Sequence, residues 1–279
     1  MAGAGTAGSG ATCRTLVLVG CGKMGSALLR GWIGAGVASR ICVVEPAGMP
    51  RDLATLAGVS WHLKPEDLPG EPAPDAVLFA VKPQVADTVL PGYRRWAGPS
   101  TLFVSIMAGR TIAGMTRHVG PAALVRTMPN TPAAIGRGIT VACSNARVTP
   151  AQRQLCDALL AAAGETAWVE DEALLDAVTA VSGSGPAYVF LLIEALSQAG
   201  EAVGLPPGLA LHLARSTVAG SGELARLSDE SPAQLRENVT SPGGTTRAAL
   251  DVLMAKNGLV PLIGRAVAAA AARSRELAS

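Results

Sequence analysis

Residues 15–25 read TLVLVGCGKMG. Thr15-Leu16-Val17-Leu18-Val19 is a short unbroken apolar run, the composition of a strand buried on both faces. It leads directly into Gly20-Cys21-Gly22-Lys23-Met24-Gly25, and then into a stretch of helical character from Ser26 to about Ala35 that Gly36 ends. A second strand follows at Ile41-Cys42-Val43-Val44 and closes on Glu45-Pro46. Strand, Gly-x-Gly-x-x-Gly turn, helix and strand in this order form the first half of a dinucleotide-binding unit. Gly20 allows the tight turn, Gly22 lets a pyrophosphate approach the backbone, and Gly25 lets helix and strand pack closely. Glu45 stands 20 residues beyond Gly25 at the end of the second strand. A carboxylate there accepts hydrogen bonds from both ribose hydroxyls and repels a 2′-phosphate, which favours NADH over NADPH. No arginine follows at once, and Arg51 is the first cation after that position.

The alternation continues outward. Residues 75–81 read as a strand leading to Lys82-Pro83-Gln84, and residues 101–106 as a strand leading to Met107-Ala108-Gly109. Ligands of a doubly wound sheet sit at the carboxyl ends of its strands, so both loops are expected to border the dinucleotide. Lys82, one of four lysines, is placed to meet a phosphate or ribose. Further strands are expected at 123–126, 138–143 and 167–169, with a helix over 152–163. After Val169 the strand signal stops. Helices are expected over 171–180, 186–203, 206–227, 232–238 and 261–277, the second capped by Ser184. Ser231-Pro232-Ala233-Gln234 has the pattern of a capping box. The fold class is therefore α/β: a Rossmann-like doubly wound sheet over residues 14–169, followed by an all-α domain over 170–279. The uncharged stretch 1–13 reads as a disordered tail.

In the helical half, Ser241-Pro242-Gly243-Gly244-Thr245-Thr246 turns the chain between two helices. Pro242 cannot continue a helix, and Thr245 and Thr246 are placed to accept hydrogen bonds from the first-turn N–H groups of the next one. Such a turn gathers backbone donors, hydroxyls and the positive end of a helix dipole, which suits a carboxylate.

Composition narrows the function further. A net charge of +2 with scattered arginines gives no basis for nucleic acid or an anionic membrane as partner. Five cysteines without a CxxC pair, and three histidines far apart, offer neither a disulfide framework nor a metal site. No secretory signal opens the sequence, and the strongest apolar run, around 188–196, is cut by Glu194; a cytoplasmic protein is expected. Long Ala-rich apolar helix faces imply a homodimer at least.

Taken together, these pieces resemble the pyrroline-5-carboxylate reductases over roughly residues 14–275. The match is carried by ENVTSPGGTT (237–246) with the following RAALDVL, by AVKPQ (80–84), SIMAG (105–109), RTMPNTP (126–132) and AVSGSGPAY (180–188), all in the family's order. The resemblance implies reduction of the cyclic imine 1-pyrroline-5-carboxylate to L-proline with NADPH or NADH. It also implies a helical domain that dimerises, often into a decamer of five dimers. Residue by residue, Val19, Gly20, Cys21, Gly22, Lys23 and Met24 match the pyrophosphate loop. Ala80, Val81, Lys82 and Pro83, with Met107, Ala108 and Gly109, match the loops along ribose and nicotinamide. Asn238 matches a cofactor contact from the helical domain. Gly243, Gly244, Thr245 and Thr246 match the substrate turn, with Thr246 as hydrogen-bond partner of the ring nitrogen. Glu45 departs from the small polar residue usual in NADPH-preferring members.

A protonated imine already carries the charge that attracts hydride, so such an enzyme mainly orients two reactants and needs few acids and bases. Three alternatives remain at this stage. A β-hydroxyacid dehydrogenase resembles GxGxxxK at the start of the long helix, and here Val189 occupies the lysine position. An imine reductase of other substrate range shares every feature named. A non-catalytic dinucleotide-binding regulator would need the cofactor loops but not SPGGTT.

Overall fold

The computed structural model describes residues 13–277 except 51, 52, 54, 55 and 57. Its strands are β1 (Cys13–Val19), β2 (Ala38–Val44), β3 (Val59–His62), β4 (Ala76–Phe79), β5 (Leu102–Ser105), β6 (Ala123–Met128), β7 (Gly138–Ser144) and β8 (Gly164–Trp168). They form one sheet in the order β3-β2-β1-β4-β5-β6-β7-β8. Strands β1 to β6 run parallel, β7 is antiparallel to β6, and β8 is parallel to β7. The first six strands thus have the doubly wound order 3-2-1-4-5-6, whose direction of winding reverses between β1 and β4.

Alternate residues of the inner strands feed two cores. On one face Leu16, Leu18, Val43, Leu78 and Val104 pack with Leu28, Leu29 and Trp32 of α1 (Lys23–Ala35). On the other, Val17, Val19, Val77, Phe79 and Phe103 pack with Leu90, Tyr93 and Trp96 of the short helical segment that follows α2 (Ala86–Val89), and with Met115 and Val119 of α3 (Ile112–Val119). Helix α4 (Pro150–Ala161) adds Leu155, Leu159 and Leu160 to the first core, and the Trp32 indole donates to the Leu159 carbonyl at 2.7 Å. Gly31 of α1 lies so close to the chain after α4 that a Cβ on it would stand 2.3 Å from the Ala162 carbonyl oxygen.

The chain divides into two compact units: residues up to 183 together with those from 271 onward, and residues 184–270. The division falls later than the expected 169/170 because α5 (Leu174–Val178) belongs with the sheet, where fully buried Leu175 packs on Val141 and Cys143. A π-helical turn, Thr179–Gly183, follows it. Ser274, near the chain's end, donates to Asp176 at 2.6 Å and returns that segment to the first unit.

In the second unit α6 (Gly185–Ala202) and α7 (Pro207–Leu227) form a close pair through small residues. A Cβ on Gly200 would be 3.2 Å from that of Ala210. Helices α8 (Pro232–Asn238), α9 (Thr245–Leu253) and α10 (Leu259–Leu277) follow. Apolar residues of this unit are largely uncovered: Phe190 and Leu191 of α6 are 58% and 63% exposed, and Val260 of α10 72%. Exposed apolar side chains in such number mark an interaction site. The stretch Leu174–Ala202 is also long and apolar enough, by composition alone, to cross a membrane. Glu194 interrupts the apolar run, but one carboxylate does not bring the mean hydropathy of the whole span below that level.

Several local expectations change. Strand β1 begins at Cys13, which is buried and whose N–H donates to Val37, so the sheet includes the last residue assigned to the tail; residues 1–12 lie outside the described residues. Edge strand β3 was not expected, since its four residues are all half-buried and lack a clean alternation. Ser184 makes no side-chain cap on α6, because the preceding turn is already helical. Ser231 does cap α8 by accepting from the Gln234 N–H, but the Gln234 side chain turns to Asn238 instead of completing the box.

Replacing Gly31 by alanine forces the chain after α4 away from α1. Overpacking of this kind costs about 1–3 kcal/mol, and thermal unfolding of Gly31→Ala is expected several degrees below the parent; an unchanged midpoint would show that α1 and the segment after α4 are free to separate.

Candidate functional site

The turn from β1 into α1 lies where the winding of the sheet reverses. Gly20 has φ +87, and a Cβ on it would stand 2.9 Å from both the Ala80 carbonyl oxygen and the Val81 side chain at the end of β4. A Cβ on Gly25 would lie 2.5 Å from the Gly20 carbonyl oxygen. These two glycines therefore let the turn lie flat against β4 and α1 pack onto the turn. Gly22 differs: a Cβ there would meet nothing within 4 Å, so its freedom from a side chain serves the space in front of the turn. Gly22 is also the N-cap of α1, with no side-chain cap and no acidic residue in the first turn. The first-turn N–H groups and the positive end of the helix dipole are left for an anion.

In front of this turn is a cavity of about 740 Å³. Of the residues singled out from the sequence, Val19, Gly20, Gly22, Glu45, Ala80, Val81 and Lys82 line it together. The rest of its lining includes residues the sequence reading missed: Leu63, Lys64, Pro65 and Glu66 after β3, and Val85, Thr88, Val89, Gly92 and Tyr93 in and around α2. The available signal was β3 itself, whose carboxyl end lies on the same edge of the sheet as those of β1 and β2. Cavity size and lining suit a dinucleotide.

Glu45 has a second role that sequence does not show. One carboxylate oxygen accepts from the Cys21 N–H at 2.8 Å and the other from the Ala47 N–H at 3.1 Å. The carboxylate thus ties the end of β2 to the glycine turn while keeping a lone pair on each oxygen for a ribose hydroxyl. Swinging it aside for a phosphate would break its bond to the Cys21 N–H. Arg51, the alternative phosphate partner, lies outside the described residues.

The remaining residues divide by position. Lys23 and Met24 open α1, and Pro83 begins the short turn after Lys82. Ala108 is exposed and Gly109 has φ +73. Met107 is buried, its side chain in the core beneath β4 and β5 and its N–H donating to Ser105 Oγ at 3.2 Å, so only backbone carbonyl and edge remain to a ligand. Asn130, within RTMPNTP, accepts from the Ile139 N–H and donates to Ser182, joining the end of β6 to the π-helical turn.

In the helical unit Asn238 ends α8, its amide engaged by Gln234 and Glu230 at 2.9 and 3.0 Å. Gly243 takes φ +68 and Gly244 is the N-cap of α9. Thr245 and Thr246 are the first two helical residues, not caps, and no side chain closes the N-terminus of α9. The expected hydroxyl caps are absent because Gly244, which has no side chain, occupies the capping position. This leaves the first-turn N–H groups of Thr245, Thr246 and Arg247 without intrahelical acceptors, beside two threonine hydroxyls.

Comparison with known proteins is consistent along the chain. Residues 172–277 match the family model for pyrroline-5-carboxylate reductase dimerisation, and residues 15–109 match that for NADP oxidoreductase, coenzyme F420-dependent. The chain is 40% identical over 267 residues to pyrroline-5-carboxylate reductase of Pseudomonas aeruginosa, covering 94% of this chain and 96% of that protein. A solved pyrroline-5-carboxylate reductase from Coxiella burnetii superposes with a TM-score of 0.87 at 33% identity, covering 95% of this chain and 98% of the other. The Plasmodium falciparum pyrroline carboxylate reductase, solved with NADP bound, superposes with a TM-score of 0.81 at 32% identity, over 95% and 98% of the two chains. With a doubly wound sheet, a dinucleotide-sized cavity at its reversal point and full-length likeness of this degree, the chain belongs to the pyrroline-5-carboxylate reductase family.

Proposed function

We propose that this protein reduces 1-pyrroline-5-carboxylate to L-proline, the last step of proline biosynthesis, with NADH preferred to NADPH. The observation that carries the reading is the pairing of an uncapped glycine turn before α1, suited to a pyrophosphate, with a second uncapped glycine turn before α9, suited to a carboxylate. A dinucleotide bound in the cavity supplies hydride; everything else is positioning by the chain. The N–H groups opening α1 hold the pyrophosphate, Glu45 holds the adenosine ribose, and the loops ending in Lys82-Pro83 and Met107-Ala108-Gly109 border the ribose and nicotinamide. The N–H groups opening α9 hold the substrate carboxylate, and the Thr246 hydroxyl holds the ring nitrogen. Asn238 adds a contact from the end of α8. Hydride addition to the protonated imine discharges its nitrogen and gives a neutral amine, so no side chain has to deliver a proton in that step. The binding energy of the carboxylate is used to place the ring.

Assembly follows from the same reading. The family's dimerisation model covers the segment whose helices leave Phe190, Leu191 and Val260 exposed. We assign these faces to a homodimer, with five dimers forming the decamer, in a protein of the cytoplasm. Burial between copies also accounts for the apolar stretch 174–202 without a bilayer.

Two experiments test the reading. Loss of a hydrogen bond to a charged group costs about 1.5–3 kcal/mol, so Thr246→Ala is expected to lower turnover roughly 10- to 150-fold while the dissociation constant for NADH stays unchanged. Parent-like kcat and KM would remove Thr246 from the reaction. For the cofactor, steady-state kinetics with the cyclic imine should give the higher kcat/KM with NADH. At an effective dielectric near 20 a unit charge pair at 4 Å interacts by about 4 kcal/mol, so Glu45→Ser should shift the NADH to NADPH ratio toward NADPH by at least about tenfold. A parent enzyme that strongly prefers NADPH would show that another group receives the 2′-phosphate.

A further inference from the structure

We infer that Arg110 is a positioning residue for dinucleotide binding: its guanidinium staples the loop after β4 to the loop after β5. Arg110 directly follows Gly109. Its Nε and Nη2 both donate to the Pro83 carbonyl oxygen, at 3.0 and 2.7 Å. Its Nη1 donates to Asp87 of α2 at 2.9 Å, and His118 of α3 lies 3.1 Å from the same oxygen. The arginine side chain is only 17% exposed, whereas that of Asp87 is 57% exposed. The exposed ion pair contributes little. The charged, shielded pair of hydrogen bonds to Pro83 is the stronger link.

The link acts on the stretch that the proposed function needs fixed, and it rests on that reading. The chain from Ala80 to Pro83 is held at its near end by the Ala80 N–H, which donates to Val19 at 2.7 Å. At its far end Pro83 has no N–H to donate; its carbonyl oxygen accepts from the Ala86 N–H within the short turn and from Arg110, and the arginine is the bond that reaches across to the loop after β5. Arg110 is itself anchored: Gly109 takes φ +73 beneath the end of α10, where a Cβ would stand 2.7 Å from the Leu277 carbonyl oxygen. The two loops that border ribose and nicotinamide are therefore one preorganised edge. A site ordered in advance binds more tightly than one that must be ordered by its ligand. Nothing in the glycine turn or in Glu45 performs this function, and lysine could do so only in part, since a single ammonium cannot reproduce the fork.

The test measures NADH binding by calorimetry and steady-state kinetics with the cyclic imine, on the full-length oligomer. Arg110→Met keeps an apolar stem and removes the donors. It is expected to raise the dissociation constant and KM for NADH about 5- to 20-fold, with KM for the imine unchanged. Arg110→Lys should recover part of the loss, and Asp87→Asn should bind NADH like the parent. If Arg110→Met does not fold, Arg110→Gln, with one donating amide, is read in the same way. Parent-like NADH affinity in the Arg110 variants overturns the staple, as does a fall in thermal midpoint with no change in KM for NADH. A parent protein that binds no NADH overturns the cavity reading itself and this inference with it, so the two failures are distinguishable.

Discussion

The close approach of the glycine turn to the end of β4 is the contact on which the site depends. Any side chain at Gly20 would push against the Ala80 carbonyl and Val81, and any at Gly25 against the Gly20 carbonyl. With both positions bare, β1, β4 and α1 meet at one point, and the first-turn N–H groups of α1 face the cavity. Glu45 then closes the third side by binding the Cys21 N–H. A single arrangement of backbone therefore sets the N-terminus of α1, the place of the Glu45 carboxylate and this wall of the cavity together. A change at any one of them is felt by the others.

The same logic recurs in the helical unit with different means. There Pro242 and Gly243 bend the chain, and Gly244 takes the capping position without offering a side chain. Each uncapped N-terminus leaves polar groups that water or a ligand must satisfy. Charged residues are only 16% of the chain, and in the proposed function backbone dipoles do much of the recognition. This suits a reaction in which both partners bring their own charge and the protein's task is placement.

Much of this was legible in residue order because it rests on local rules. The run Thr15–Val19 is buried on both faces, so its composition alone marks a strand, and the glycine spacing that follows is tied to it by geometry within one unit. What sequence left hidden depends on contacts between distant segments. Strand β3 is half-buried at the sheet edge, so its pattern is weak, and with it the residues 63–66 of the cavity were lost to view. Glu45 was legible as a ribose acceptor, but its bond to Cys21 exists only because β2 lies beside β1. Met107 lies in a loop that borders the site, yet its side chain belongs to the core. Thr245 and Thr246 have the composition of caps, and only the position of Gly244 shows that they begin the helix proper. Arg110 looked like any loop arginine until the loop after β4 was seen beside it.

The most direct test of the central claim is a crystal structure of the protein with NAD and L-proline bound. The account predicts the pyrophosphate on the N–H groups around Gly22, Glu45 on the adenosine ribose, and the proline carboxylate on the N–H groups of Thr245 and Thr246 with the ring nitrogen at the Thr246 hydroxyl. Proline bound away from the turn before α9, or a dinucleotide whose pyrophosphate avoids the turn before α1, would contradict it.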